Sequence, residues 1–151
     1  MPTSADDRLR FFDVLVRTEI ALWNAVDDAV STETPVNLGL LTALRHIDAH
    51  DGQARVQEVA DGIGITVGAA SKIVDRLERA QLVRRRPHPA DKRSSLIELT
   101  DDGAQALRFG MRAVLAELRR RTDVLTPEDL AATTMQLAAL GNAFAPSGCR
   151  A

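Results

Sequence analysis

The amino-acid sequence predicts a mainly α-helical fold carrying one small β-hairpin, and three observations predict it. From Gln57 to Thr100 the chain reads as a short helix, a glycine-containing turn, a second helix, and two short strands around a turn. On both flanks of that stretch, apolar residues recur at helical rather than alternating spacing. The middle is also basic within an acidic chain: Lys72 to Arg93 holds eight Lys and Arg against three acids, a local charge of +5 where the total is −2. A basic block of this kind points to an anionic partner, although a basic run by itself also describes a solvated face.

At 151 residues the chain has room for one domain, or one lobe with an oligomerisation element. Apolar residues at 45% and charged residues at 26% are globular values and argue against disorder. No apolar run approaches a membrane span, and MPTSADDRLRFF lacks the pattern of a secretory signal, so a cytoplasmic location without membrane contact is expected. Cys149 is the single cysteine and cannot form an intrachain disulfide.

In chain order, Leu9 to Val30 carries Phe12, Leu15, Val16, Leu22, Trp23, Val26 and Val30 at amphipathic-helix spacing, broadened by Phe11, Val14 and Ile20. So wide an apolar face suits a helix shared with a second subunit better than one buried in its own. Pro35 breaks the pattern, and Leu38 to His50 resumes it through Leu40, Leu41, Leu44 and Ile47. Val56 to Gly62 is a third helix with Val59 and Ala60 inward, and Gly62 or Gly64 supplies the turn. Thr66 caps a fourth helix, Val67 to Ala80. At about 100° per residue, Ala70, Ile73, Val74 and Leu77 fall on one side of it. Gly68, Ser71, Lys72, Asp75, Arg76 and Arg79 fall opposite, with the small residues Gly68, Ala69 and Ser71 leaving the first turn free to enter a groove.

Leu82 to Pro87 and Ser94 to Leu99 read as strands joined by HPADKR, with Ile97 and Leu99 on one face and Leu96 and Glu98 on the other. Thr100, Asp101 and Asp102 open a long helix that ends in Arg119, Arg120 and Arg121, charges that suit each end of its dipole. Thr126, Pro127, Glu128 and Asp129 open a last helix, on which Leu130, Leu137 and Phe144 recur every seven residues. The expected division is an N-terminal dimerisation helix (1–35), a reading lobe (36–100) and C-terminal dimerisation helices (101–151).

The segments VADGIGITVGAASKIVDRLERAQLVRR, PADKR and LTDDG, in this order and spacing, resemble the MarR family of bacterial transcriptional regulators, and the likeness extends over most of the chain. The resemblance implies a winged helix-turn-helix that dimerises through its N- and C-terminal helices and binds double-stranded DNA. Carried over to this sequence, it makes Gly68, Ala69, Ser71, Lys72, Asp75, Arg76 and Arg79 the recognition-helix candidates, joined by Arg85 and Arg86 on the first wing strand. Asp91 resembles an acid that orients a nearby arginine, and Lys92 and Arg93 resemble tip cations that enter a narrow minor groove. Two positions depart from the family pattern: His88 stands where an acid is frequent before the wing proline, and Gln81 where a helix-ending glycine is common. The first puts wing rigidity in doubt; the second implies a small strain cost.

The function so implied is a ligand-responsive repressor of a roughly palindromic operator, switched by a small aromatic or phenolic compound. The alternative is a winged-helix protein-interaction module without DNA binding. Enzyme chemistry finds little support, because GxGxxG, GxSxG and GxxxxGK[ST] are absent and no histidine has an evident nucleophile partner. No cofactor is expected. His46 and His50 have the i, i+4 spacing of metal ligands but read better as polar residues near a helix end. Cys149 is read as inert rather than as a thiol switch, and Trp23 as dimer core rather than ligand pocket.

Overall fold

The computed structural model describes residues 4–144, the side chains of residues 91–93 excepted. Its elements are α1 (Ala5–Glu33), α2 (Leu38–Asp48), α3 (Val56–Ile63), α4 (Val67–Arg79), β1 (Val83–His88), β2 (Asp91–Leu99), α5 (Asp101–Thr122) and α6 (Pro127–Phe144). The chain divides into two compact units, Met1–Glu117 and Leu118–Ala151.

Helix α1 begins earlier than its apolar pattern because Ser4 and Asp7 form a capping box: the Asp7 N–H donates to Ser4 Oγ at 3.1 Å, and the Ser4 N–H donates to the Asp7 carboxylate at 3.2 Å. It also runs on to Glu33. Thr34, which precedes Pro35, is extended at φ −143° and ψ 160°, the conformation that proline imposes on its predecessor. Only Val26 and Val30 of α1 are buried in the described chain, while Leu9, Phe11, Phe12, Val14, Ile20 and Trp23 are exposed. The Asp27 carboxylate accepts the Leu38 N–H at 2.6 Å and so joins the end of α1 to the start of α2.

The core of the first unit is built from Val30, Leu41, Leu44, Ile47, Val59, Val74, Leu77, Leu96 and Ile97, each almost fully buried. Gly64, at φ +79°, is the turn glycine that follows α3. Gly62 stays helical and lies against the His46 ring, where a Cβ would come within 2.5 Å of Nδ1. Thr66 caps α4 as expected, accepting the Ala69 N–H at 3.3 Å. Along α4, Ala70, Val74 and Leu77 are buried, but Ile73 is only half-buried, at the margin of the packed arc. The helix ends in a Schellman motif: the Leu82 N–H donates to Leu77 O and the Gln81 N–H to Glu78 O, both at 2.9 Å. Gln81 therefore adopts φ +59°, the left-handed conformation usually given to glycine.

Strands β1 and β2 pair antiparallel, Val83 opposite Leu99 and Arg86 opposite Leu96, with a register shift between Pro87 and His88. Ala54 adds a single bridge to Ile97, whose N–H donates to Ala54 O at 2.7 Å. No periodic signal announces that bridge. The hairpin base is covered on both faces, since Leu96 and Ile97 are both buried, as a strand between packed elements requires. Thr100 then opens α5, accepting the Gly103 N–H at 3.0 Å.

In the second unit, Thr126 caps α6 by accepting the Asp129 N–H at 3.1 Å, with Pro127 as the first helical residue. No residue of α6 is buried, and Leu130, Leu137 and Phe144 are all exposed. Among the described residues, no helix is long and apolar enough to cross a membrane.

Gly103 meets a backbone atom, since a Cβ there would collide with the carbonyl oxygen of Leu82. The Gly103→Ala variant is expected to lose about 1–3 kcal/mol of unfolding free energy, because overpacking against a backbone group cannot be relieved by a rotamer change. Urea titration followed by circular dichroism checks this.

Candidate nucleic-acid interface

Helix α4 turns its polar side outward. Lys72, Arg76 and Arg79 are exposed, and Gly68 is open to solvent. No ion pair engages Lys72 or Arg76 among the described residues, whereas Arg79 Nε donates to the Asp75 carbonyl at 3.2 Å. Ser71 and Asp75 are half-buried on the flank nearest the hairpin, where an open groove of roughly 490 Å³ is lined by Arg55, Gln57, Ser71, Arg85, Ser94 and Ser95.

The hairpin arginines are not equivalent. Arg85 reaches back to α4, donating to the Asp75 carboxylate at 2.7 Å and to Glu78 at 3.0 Å. A planar guanidinium spans two carboxylates in this way, and a lysine cannot. Arg86 donates to Gly52 O at 2.9 Å and lies 3.2 Å from Glu98, an ion pair whose line is off that of a hydrogen bond. Arg84 is the exposed member, and its Nε donates to Glu98 across the strands. The Arg84 hydrogen bond, helped by the charges of Arg84 and Arg86 against a smaller desolvation effect, holds the Glu98 carboxyl below its ordinary value. Of the two hairpin candidates, then, Arg85 and Arg86 both hold the lobe together.

Sequence reasoning missed Arg55. Its guanidinium lies 2.8 Å from His88 Nε2, tying the end of β1 to the start of α3, while the Ala90 N–H approaches His88 Nδ1 at 3.1 Å. A neutral imidazole accepts at one nitrogen only, so the ring serves one of these donors at a time. His88 thus serves as the acceptor at the hairpin turn. Arg55 was legible only as part of a turn, HDGQAR, with nothing to connect it to a residue 33 positions away. The side chains of Asp91, Lys92 and Arg93 lie outside the described residues, as does Cys149.

His46 and His50 share a helix but not a site. The His50 Nδ1 lies 2.7 Å from the His46 carbonyl, and the His46 ring packs on Gly62. Among the described residues, no group of three or more His, Cys, Asp or Glu is placed to hold a metal ion. Burial, followed by the nearby charges of Arg45 and His50, lowers the His46 pKa below its ordinary 6.5.

A sequence model of the MarR family matches residues 41–94, which run from α2 to the start of β2. Over 92 residues the chain is 28% identical to the HTH-type transcriptional regulator MhqR of Bacillus subtilis, covering 61% of this chain and 63% of that protein. Over 100 residues it is 29% identical to the HTH-type transcriptional repressor MdtR of the same organism, covering 64% and 60%. Its fold superposes on Sco3205, a MarR family transcriptional regulator from Streptomyces coelicolor in complex with DNA, with a TM-score of 0.84 and 25% identity over 97% of this chain and 92% of that one. The chain is thus similar to MarR family regulators in sequence over residues 41–94 and in fold over nearly its whole length. The alignments span less than two thirds of the curated relatives' lengths. The family model's span takes in α4 and β1.

Two expectations follow from this geometry. Arg85→Ala should cost about 1 kcal/mol, the scale of a partly exposed ion-pair network, and Arg85→Lys should recover less than half of it; urea midpoints of the three proteins test both. The lowered His46 pKa means that the unfolded chain takes up this proton before the folded one. Stability should therefore fall as pH drops through 6.5 and level off below the folded-state value, and His46→Gln should flatten that part of a thermal-melt pH series.

Proposed function

We propose that this chain is a MarR family protein, a sequence-specific, double-stranded DNA-binding transcriptional regulator. The observation that carries the reading is the outward face of α4, where Lys72, Arg76 and Arg79 stand exposed around an unobstructed first turn, next to a hairpin rich in arginine. Cations on such a face neutralise phosphates, and guanidinium groups pair with guanine edges in a major groove. The regulator and repressor roles of MhqR and MdtR and the DNA bound to Sco3205 support the reading. In this reading Ser71, Lys72, Arg76 and Arg79 touch DNA directly, Gly68 and Ala69 admit the helix, and Lys92 and Arg93 enter the minor groove. Asp75, Arg85 and Arg86 position the helix and hairpin, and Asp91 orients a wing arginine.

The working form is a homodimer. Exposed Phe11, Phe12, Ile20 and Trp23 on α1, and Leu130, Leu137 and Phe144 on α6, supply the apolar surface that segments 1–35 and 101–151 would bury against a second copy. Two reading helices about 34–36 Å apart then match successive major grooves, so the operator is a near-palindrome. An effector acts by preferring a dimer of the wrong spacing, and a small aromatic or phenolic compound releasing a repressor is the form the family likeness suggests. Such a protein works in the bacterial cytoplasm, without membrane contact or cofactor, and its named relatives are regulators rather than enzymes.

Recovery of bound duplexes from a random pool, followed by gel shifts over a salt series, tests the reading. The expected result is an inverted-repeat site with a steep salt dependence. Arg76→Ala should weaken binding about tenfold or more, as loss of a base contact or a phosphate contact does, and Arg93→Ala should reduce preference for A·T-rich flanks. Trp23→Glu should shift the sedimentation equilibrium towards monomer. Binding without any sequence preference at every ionic strength would overturn the regulator reading.

A further inference from the structure

Glycine is a poor helix former, so one inside a helix usually answers a need for room. Within α3 and α5 that need arises from the fold itself: a Cβ at Gly62 would meet the His46 ring, one at Gly103 the Leu82 carbonyl, and one at Gly110 the Leu41 side chain. Gly68 in α4 differs, because a Cβ there would meet nothing within 4 Å. Among the described residues nothing within that reach requires this glycine, and of the helical glycines Gly141 in α6 shares that openness. Beside it, Val67 is the first helical residue and is 44% exposed although apolar. The Thr66 hydroxyl is engaged by the Ala69 N–H, and Ala69 offers only a methyl group. The first turn of α4 thus presents an apolar tip followed by clearance, and the polar side chains begin a turn later at Ser71 and Lys72.

The first residues of the second helix in a helix-turn-helix are those that meet base edges. Among the groups a major groove displays, the apolar one is the C5-methyl of thymine. We propose that Val67 reads a pyrimidine 5-methyl group in each half-site, with Gly68 providing the clearance that lets the helix approach it. This inference rests on the DNA-binding reading and adds to it a specific base feature and a residue outside the polar face.

The test replaces thymine by deoxyuridine, one symmetric pair of positions at a time, in the duplex recovered from the random pool. This removes the methyl group and leaves every hydrogen-bonding group in place. Wild-type protein should lose about three- to fivefold in affinity per half-site at one such pair, the value of a single buried methyl. Val67→Ala should bind the thymine duplex with a similar loss and be indifferent to deoxyuridine at that pair, and 5-methylcytosine tested there should separate methyl reading from pairing identity. Gly68→Ala should raise the melting temperature while weakening DNA binding, opposite signs that a purely structural glycine would not give. Wild-type indifference to deoxyuridine at every position, or a Val67→Ala protein that keeps the full sensitivity, would overturn the proposal. Failure of the wild type to select any sequence would instead overturn the DNA-binding reading, and this inference with it.

Discussion

The first unit depends on a junction of four residues, Gln81, Leu82, Thr100 and Gly103. Helix α4 ends there, β1 and β2 have their open end there, and α5 begins there. The Leu82 carbonyl accepts the Thr100 N–H at 3.1 Å and lies against Gly103, while the Thr100 hydroxyl donates to Gln81 O at 2.7 Å. The left-handed Gln81 turns the chain so that Leu82 and Val83 enter the core directly after Leu77. Because backbone groups make most of these contacts, the angles among reading helix, hairpin and α5 are fixed by geometry that side-chain motion cannot absorb. A left-handed non-glycine residue costs about 1–2 kcal/mol. The Thr100 hydroxyl offsets part of that by occupying the carbonyl that the turn leaves outward.

The hairpin arginines show how a basic segment divides its work. Read as charge, Arg84, Arg85 and Arg86 are one run. Strand alternation separates them, so that Arg84 and Arg86 share Glu98 from one face while Arg85 points to α4 and meets Asp75 and Glu78. Those two carboxylates are therefore part of the support for α4, and the Arg85 guanidinium answers half of their negative charge from within. Lys72 and Arg76 then dominate the outward face. A basic surface built in this way keeps its shape before any partner arrives, which lowers the ordering cost of association.

Helix positions, caps and the packed face of α4 were legible in the sequence because each rests on local rules: Thr66, Thr100 and Thr126 cap, Pro127 starts, and Ala70, Val74 and Leu77 recur on one side. The family likeness was legible through LTDDG, and the structure supplies the physical reason for its glycine, the Leu82 carbonyl beneath it. What escaped was set by distant pairing. Ala54 bridging Ile97, Arg55 meeting His88 and Arg85 bracing α4 join segments that no periodicity relates. The start of α1 escaped for a different reason, since Ser4 and Asp7 cap a helix whose first turn carries no apolar signal.

The two apolar ends set a limit on how the reading lobe can act. Helix α6 has no buried residue, and α1 buries only Val26 and Val30, so much of their apolar surface gains nothing from the fold of a single chain. A helix with no buried residue draws no tertiary packing from its own chain, and packing is where most helical stability in proteins comes from. Where folding of the ends and pairing of two chains are one equilibrium, stability rises with protein concentration, and any ligand that prefers one spacing of the pair shifts both. The core of Leu41, Ile47, Leu77 and Ile97 does not share this dependence, being closed within one chain. Under the proposed dimeric reading, a change of spacing between two copies would move lobes whose cores are each closed within one chain.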